Sequence, residues 1–194
     1  MKKLCLIIAA ALIAVSFASL TSCGSGGSAS APDQGQADAV LADVSADALL
    51  DAAMAVFTED ELPKVKYYRS SVTDEGADEY LDPDYAGQFF MNEFGADMPA
   101  FKSLAEYAIC SPHSKKAFEM IVFKLGESTD AAEAKKLLET RFSLKDNGDF
   151  GTYAPEEEAM LKNMQIIEKG NYLFMLCTPD NAKAIAAFEA VLNG

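Results

Sequence analysis

The chain has 194 residues, of which 30 are acidic and 16 are basic, so it carries a net charge of −14 at neutral pH. This excess of negative charge repels phosphate backbones and excludes nucleic acid as an expected partner. It is also typical of a solvated surface that keeps an exported protein soluble. About 150 residues follow the N-terminal segment, which is enough for one domain with a single hydrophobic core.

The N-terminus has the pattern of a lipoprotein signal peptide. Lys2 and Lys3 form a basic start, and residues 4–20 carry no charge, which matches an apolar signal segment at the lower limit of transmembrane length. The residues that follow resemble a bacterial lipobox, Leu20-Thr21-Ser22-Cys23. The resemblance implies cleavage of residues 1–22 and attachment of acyl chains to Cys23. The alternative is an uncleaved anchor helix, although no basic stop-transfer cluster follows.

The predicted processing defines the location of the protein and its domain limits. Two or more acyl chains on Cys23 would hold the protein at a membrane, on the side away from the cytoplasm. Loss of the signal would change the net charge from −14 to −16, because Lys2 and Lys3 are its only charged residues. Residues 23–43 begin with a Gly- and Ser-rich stretch that predicts a flexible tether. Residues 44–194 are the single predicted domain.

Two helices are predicted in the first part of the domain. Apolar residues at helical spacing predict a helix over about 46–57, with Ser45 as its N-cap. A second helix over about 82–94 begins at Asp82, which is followed by proline at the first helical position. Gly95 ends that helix, because glycine is the usual residue just past a helix C-terminus.

Strands are predicted mainly in the second half. Residues 62–68 permit a strand, but Pro63 restricts it to an edge or to a strand beginning. Turn residues separate apolar runs and predict two β-hairpins, with strands over 104–110 and 117–125, then 164–168 and 172–177. A helix over about 130–142 follows the first hairpin, and a last helix capped by the 178–180 segment follows the second.

These elements predict an α+β fold built from two β-hairpin-plus-helix units. The units form a four-stranded, largely antiparallel sheet with its helices on one face, because each strand needs its apolar side covered. The two N-terminal helices precede the units and complete this cover. The strand order is not determined by the sequence.

The connection between the two units, residues 146–158, is rich in acidic residues. Pro155 followed by three glutamates predicts a short helix, since acids stabilise the positive end of a helix dipole. Alignment with a calcium-binding loop that starts at Asp146 puts Gly148 and Phe150 where oxygen ligands are required. We therefore predict no metal site, and we expect no cofactor.

Four parts of the second half carry a family resemblance, namely Arg141, Tyr153-Ala154-Pro155-Glu156-Glu157, Asn163 and Gly170-Asn171-Tyr172. With the lipobox and the hairpin-helix order, they resemble a family of small lipoproteins from anaerobic Gram-positive bacteria that is known only as a domain of unknown function. The family has no established activity, so the resemblance transfers no catalytic residue. From these segments we take four candidate binding residues, Tyr153, Glu157, Asn171 and Tyr172.

Catalytic signatures are absent from the sequence. His113 is the only histidine, and it falls in the turn predicted between two strands, which favours an exposed loop residue over a general base or metal ligand. The patterns Gly-x-Ser-x-Gly, His-Glu-x-x-His and Cys-x-x-Cys do not occur. Paired carboxylates are available for a hydrolase, but a chain with 30 acids brings some pair together in any fold.

Cys110 and Cys177 are the thiols that remain after lipidation of Cys23. Each ends an apolar strand, which is typical of a small buried side chain, while export would also permit a disulfide. The tyrosines offer rings for a carbohydrate or peptide groove, or else they pack at the edge of the core with the hydroxyl in water. They are Tyr67, Tyr68, Tyr80, Tyr85, Tyr107, Tyr153 and Tyr172.

Two functions from different classes are left open. The first is a membrane-anchored lipoprotein whose acidic domain binds a small ligand or an envelope protein, and the absence of catalytic motifs favours it over an enzyme. The second is a hydrolase that acts on envelope material with two carboxylates. A groove that holds two acids with raised pKa values would favour the hydrolase, whereas a face with exposed tyrosines would favour binding.

Overall fold

A computed structural model describes residues 41–113, 116–147 and 154–194. These residues form a mixed α/β domain with a five-stranded antiparallel sheet. In chain order its elements are α1 (Ala46–Met54), β1 (Val65–Arg69), α2 (Pro83–Met91), α3 (Pro99–Lys102), β2 (Glu106–Pro112), β3 (Glu119–Lys124), α4 (Ala131–Asp146), α5 (Glu158–Lys162), β4 (Gln165–Lys169), β5 (Tyr172–Cys177) and α6 (Asn181–Asn193). Short 3₁₀ turns at Glu59–Glu61 and Pro155–Glu157 precede β1 and α5.

The sheet has the strand order β1-β2-β3-β5-β4, so the predicted count of four strands is wrong. The additional strand is β1, which pairs with β2 so that Val65 lies opposite Pro112. It lies at an edge of the sheet, as the sequence predicted for a strand over 62–68. Pro63 precedes the strand, where its missing N–H group removes no bond from the ladder.

The two predicted hairpins are present and meet through their inner strands. β2 pairs with β3, β4 pairs with β5, and β3 pairs with β5, all in antiparallel orientation. Glu119 at the start of β3 lies opposite Cys177, and Lys124 at its end lies opposite Tyr172. Gly170 has a φ of 58° in the turn between β4 and β5, a conformation that favours glycine. The predicted hairpin-helix order is confirmed.

The helices cover both faces of the sheet, so the prediction that they lie on one face is wrong. α2, α3 and α4 pack on one face, where their apolar residues meet Ile121 and Phe123. α1 and α6 pack on the opposite face, against Met120 and Val122. The inner strands are buried at nearly every position, and β5 is buried throughout. Both sides of the sheet therefore need an apolar cover.

Side-chain caps define the helix starts much as the sequence predicted. The hydroxyl of Ser45 accepts from the N–H of Ala48 at the start of α1. The carboxylate of Asp82 caps α2, and Asp130 and Asp180 cap α4 and α6 in the same way. The helix ends differ from the predictions: α1 and α2 each end three residues earlier, and α4 continues four residues further.

The described chain contacts the domain from its first residues onward. Leu41 packs against the core on the α1 and α6 side, and the N–H of Ala42 donates to the carbonyl of Leu192 at 2.8 Å. None of the described helices is long and apolar enough to cross a membrane. The predicted signal peptide, Cys23 and the first part of the tether lie outside the described residues.

Candidate functional site

A buried charge network lies at the start of β3. The side chain of Glu119 is fully buried there, and Arg141 on α4 donates from Nε to its Oε1 at 2.8 Å and from Nη2 to its Oε2 at 2.6 Å. Lys145, on the next turn of α4, donates to Oε2 at 3.2 Å, and the hydroxyl of Ser111 donates to the same oxygen at 3.0 Å. Both oxygens of this carboxylate therefore have donors. We call these four residues the Glu119 network.

Glu157, one of the predicted binding residues, extends this network. Lys116 donates from Nζ to its Oε1 at 2.7 Å, and the N–H of Ala117 donates to its Oε2 at 2.9 Å. Lys145 connects the two groups, because it also donates to the carbonyl of Lys116 at 3.3 Å. Glu157 is only 8% exposed. Its contacts tie the connection between the hairpins to the residues before β3.

Arg141, which carried part of the family resemblance, also joins two helices. Its Nη1 donates to the carbonyl of Phe89 on α2 at 3.2 Å. Its guanidinium lies 3.9 Å from the centroid of the Phe89 ring, within the range of a cation–π contact. Arg141 therefore links α2, α4 and β3 around a single buried carboxylate, which is a structural role.

The pKa directions in this region do not favour an acid catalyst. Burial alone would raise the pKa of Glu119, but the cations of Lys145 and Arg141 outweigh burial and hold that pKa below its usual value. Burial likewise opposes the hydrogen bonds from Lys116 and Ala117, which hold the pKa of Glu157 low. A general acid near neutral pH needs a raised pKa instead. No described acidic residue with a resolved shift has one.

The other predicted binding residues do not lie together. Asn171 is exposed at the turn between β4 and β5, where its carbonyl accepts from Leu125 at 2.7 Å. Tyr172 is fully buried, and its hydroxyl donates to the carbonyl of Val44 at 2.8 Å and accepts from the N–H of Val44 at 2.9 Å. Both lie at the opposite end of β3 from Glu157. Tyr153 lies outside the described residues.

Tyrosines from several segments instead line two adjoining cavities beside α2. Tyr80 lines both of them. The smaller cavity has a volume of about 320 Å³ and is otherwise lined by Lys66, Tyr68, Asp82 and Tyr85. The larger cavity has a volume of about 490 Å³, and its polar lining comes from Lys102 and four hydroxyl-bearing side chains, Ser70, Thr73, Tyr80 and Tyr107. We call the two cavities together the tyrosine groove.

Hydrogen bonds, an ion pair and an aromatic contact fix the segments that line the tyrosine groove. Arg69 forms an ion pair with Glu79 at 3.0 Å, and its N–H donates to the carbonyl of Glu79, so that the segment leading to Tyr80 is fixed to β1. The N–H of Tyr107 donates to the hydroxyl of Ser70 at 2.9 Å. Phe101 lies 4.9 Å from the ring of Tyr107, centroid to centroid. Burial and the nearby Tyr80 phenol raise the pKa of Tyr107, so it stays protonated as a hydrogen-bond donor.

His113 lies in an exposed loop, and the two thiols are buried in the sheet. His113 follows β2 and, with Tyr67, lines a cavity that shares only Lys66 with the described lining of the tyrosine groove; its backbone N–H donates to the carbonyl of Lys64. Cys110 and Cys177 are free and buried, on opposite faces of the sheet. Burial raises the pKa of each thiol to about 12, so neither is a thiolate at neutral pH. Among the described residues, no cluster of potential metal ligands is present.

Comparison with known proteins finds similarity to a family model over part of the chain. Residues 85–178 match the model of a domain of unknown function, DUF4358. The match runs from α2 to the end of β5, just under half of the chain, and it contains both hairpins and the Glu119 network. It supports the predicted similarity to an uncharacterised family. No curated protein and no solved structure matches the chain.

Proposed function

We propose that this protein is an extracytoplasmic lipoprotein that binds a ligand at the cell envelope without catalysing a reaction. Acyl chains on Cys23 would hold it to the membrane, and residues 23–43 would connect the anchor to the domain. The lipobox Leu20-Thr21-Ser22-Cys23 and the basic, then apolar, start support this location. The resemblance suggested by the sequence, to small lipoproteins of anaerobic Gram-positive bacteria, agrees with this proposal.

The observation that carries the binding function is the tyrosine groove. Ligand sites are concave and largely apolar, with a few polar groups that fix the orientation of the ligand. The larger cavity has this character, because the hydroxyl-bearing side chains of Tyr80, Tyr107, Ser70 and Thr73 line it together with apolar side chains. Its described lining contains one cation, Lys102, and no carboxylate.

An uncharged saccharide of the envelope is the ligand that suits this lining best. Aromatic rings offer apolar faces to the C–H side of a sugar ring, and hydroxyl groups can donate to and accept from sugar hydroxyls. An anionic polymer is disfavoured, since the whole chain has a net charge of −14. The carboxylate hydrolase has no comparable support, because Glu119 and Glu157 both have lowered pKa values.

Thermal unfolding of the purified lipoprotein in detergent tests the ligand class. A neutral envelope saccharide at a hundredfold its Kd would stabilise the folded state by about 2.7 kcal/mol and raise the Tm. Tyr80→Ala should abolish the shift and Tyr107→Phe should reduce it. The matched control is Tyr67→Phe, because Tyr67 lies outside the groove. A shift caused by peptides alone, or one that survives Tyr80→Ala, would contradict the saccharide assignment.

Analysis of the N-terminus of the mature protein, isolated from the membrane fraction of cells, tests the lipid anchor independently of ligand binding. The mature protein should begin at Cys23 with attached acyl chains, which mass spectrometry of its N-terminal peptide would detect. Cys23→Ser should prevent this processing and leave residues 1–22 on the chain. A mature wild-type protein that retains residues 1–22 would identify an uncleaved anchor helix and overturn the lipidation proposal, whatever the groove binds.

A further inference from the structure

A further cavity, which shares Met98 with the larger cavity of the tyrosine groove, opens between the end of α2, the 97–103 segment and the first half of α4. Its volume is about 600 Å³. We call it the methionine cavity. Its lining includes the apolar side chains of Met91, Met98 and Leu137 and the charged side chains of Asp97, Glu133 and Lys136. All of these residues lie inside the range that matches the family model.

Two large apolar side chains, one in the cavity lining and one in the loop that leads to it, are exposed. Met91 at the end of α2 is 41% exposed, and Phe94, in the loop between α2 and the cavity residue Asp97, is 68% exposed. Methionine adapts its shape to different partners because its side chain is unbranched and flexible. Exposed apolar residues beside a concave apolar surface are typical of a protein interaction site.

The loop that carries Phe94 is fixed against α2. The N–H of Glu93 donates to the carbonyl of Gly87, and the N–H of Gly95 donates to the carbonyl of Asp84, each at 3.3 Å. Gly87 allows this close approach, since a Cβ there would lie 2.5 Å from the carbonyl oxygen of Glu93. A partner that binds Phe94 would therefore not have to order this loop, which reduces the entropic cost of association.

The rim of the cavity is acidic. Among the described lining residues, Asp97, Asp130 and Glu133 are acidic and Lys136 is basic, and Lys102 approaches Asp97 from outside the lining. Asp130 caps α4, whereas Asp97 and Glu133 pair only with exposed lysines, Lys102 at 2.8 Å and Lys136 at 3.6 Å. Such exposed pairs contribute little and can exchange partners. Lysine or arginine side chains of a partner could thus replace the resident lysines.

We propose that the methionine cavity docks a basic amphipathic segment of a partner protein. The apolar side chains of the segment fill the cavity and contact Met91 and Phe94, and its cations face Asp97 and Glu133. This is the complementarity by which amphipathic helices bind apolar grooves with acidic rims. A second copy of this chain would bring one acidic rim against another, so like charges disfavour it as the occupant.

Site-specific crosslinking tests this proposal on the full lipoprotein in nanodiscs of zwitterionic lipid. The probe is a short peptide with leucine at helical spacing and lysine on the other face. A photoreactive phenylalanine derivative replaces Phe94, or replaces Glu139 as the control, since Glu139 is exposed on α4 but does not line the cavity. We expect a covalent adduct from position 94 and little from position 139. A glutamate-for-lysine version of the peptide should form none.

Charge reversal at the cavity rim distinguishes docking of the peptide in the methionine cavity from general attraction of a basic peptide to an acidic protein. With the photoreactive group at position 94, Glu133→Lys should reduce adduct formation by roughly threefold or more, whereas Glu139→Lys should leave it nearly unchanged. Equal effects of the two reversals, equal labelling from the two positions, or a covalent dimer in place of the peptide adduct would overturn the proposal. Tyr80→Ala should not alter the adduct, so failure here is distinct from failure of the saccharide assignment.

Discussion

The two halves of α4 face different surroundings. Its C-terminal half carries Arg141 and Lys145, whose cations bind the buried carboxylate of Glu119. Its N-terminal half carries Glu133 and Lys136, which are exposed and pair loosely with each other at 3.6 Å on the rim of the methionine cavity. Both halves combine acids and lysines over a short stretch of sequence, and only the surroundings separate their roles.

Burial determines what each set of charges can do. A buried carboxylate that loses its donors has no water to replace them, so its network is fixed and contributes to the fold. An exposed pair is hydrated and exchanges partners at low cost, so it remains available to another molecule. The comparison therefore assigns stability to the Glu119 end of α4 and recognition to the Glu133 end.

The largest effect should come from removing the buried carboxylate. Glu119→Ala leaves Arg141 and Lys145 without their partner, and breaking a buried ion pair in this way typically costs about 3–5 kcal/mol. Urea unfolding of the purified lipoprotein would measure the loss. Glu139→Ala, on the exposed side of α4, is the control and should stay within about 0.5 kcal/mol of the wild type. If Glu119→Ala also changed the free energy of unfolding by only about 0.5 kcal/mol, the Glu119 end of α4 would contribute no more to stability than the Glu133 end.

Substitution of Gly87, which packs against the loop that carries Phe94, should have the next largest effect on stability. In Gly87→Ala the new Cβ would meet the carbonyl oxygen of Glu93 at 2.5 Å and the nitrogen of Ala96 at 2.7 Å, so we expect a loss of about 1–3 kcal/mol in urea unfolding. The loop would also move, which should reduce crosslinking from position 94. Gly76→Ala is the control, because its nearest contact is an ordinary 3.4 Å. Equal stability of the two variants would mean that the loop is not fixed at Gly87.

Local signals in the sequence were sufficient for much of this fold. Capping residues such as Ser45 and Asp82 lie at the helix starts where the sequence predicted them, because the cap is made within one turn. The cover of the sheet was predicted wrongly, since it depends on pairing between distant strands. The uninterrupted apolar run Leu173-Phe174-Met175-Leu176 was the available signal, because strands buried on both faces lose their alternation.

The candidate sites were less predictable than the fold. The tyrosines were recognised as a set, but grouping Tyr80 with Tyr107 requires the tertiary fold that brings the segment after β1 against β2. Tyr172 has the same side chain, yet its hydroxyl is satisfied by Val44 inside the core. The methionine cavity was not predicted, because its lining comes from α2, the 97–103 segment and α4, and none of these shows a pattern of its own.

Acid should destabilise the protein through the buried carboxylates of Glu119 and Glu157. The effect should be smaller than that of the two substitutions above. Glu119 and Glu157 have lowered pKa values when folded, so the unfolded chain takes up protons at a higher pH than the folded chain. Their contribution is present above the ordinary glutamate pKa of about 4.3 and is lost as the pH falls below it through the lowered folded values. In urea unfolding between pH 3 and pH 7, Glu157→Gln should show a shallower acid loss than the wild type. If Glu157→Gln and the wild type lost stability equally steeply between pH 7 and pH 3, protonation of Glu157 would not be a cause of the acid sensitivity.

The smallest effect should come from the exposed lysine at the cavity. Lys136→Met removes a partner from Glu133 in a pair whose side chains are 69% and 59% exposed, and such a pair contributes about 0.2–0.5 kcal/mol, which salt screens. Lys145→Met is the matched variant on the same helix, because that lysine is 5% exposed and donates to Glu119. Its loss in urea unfolding should be several times larger and nearly independent of salt. Lys136→Met should also strengthen the peptide adduct, since the rim becomes more negative. If the two substitutions cost the same, the exposed half of α4 is part of the stabilising core and its charges are not free for a partner.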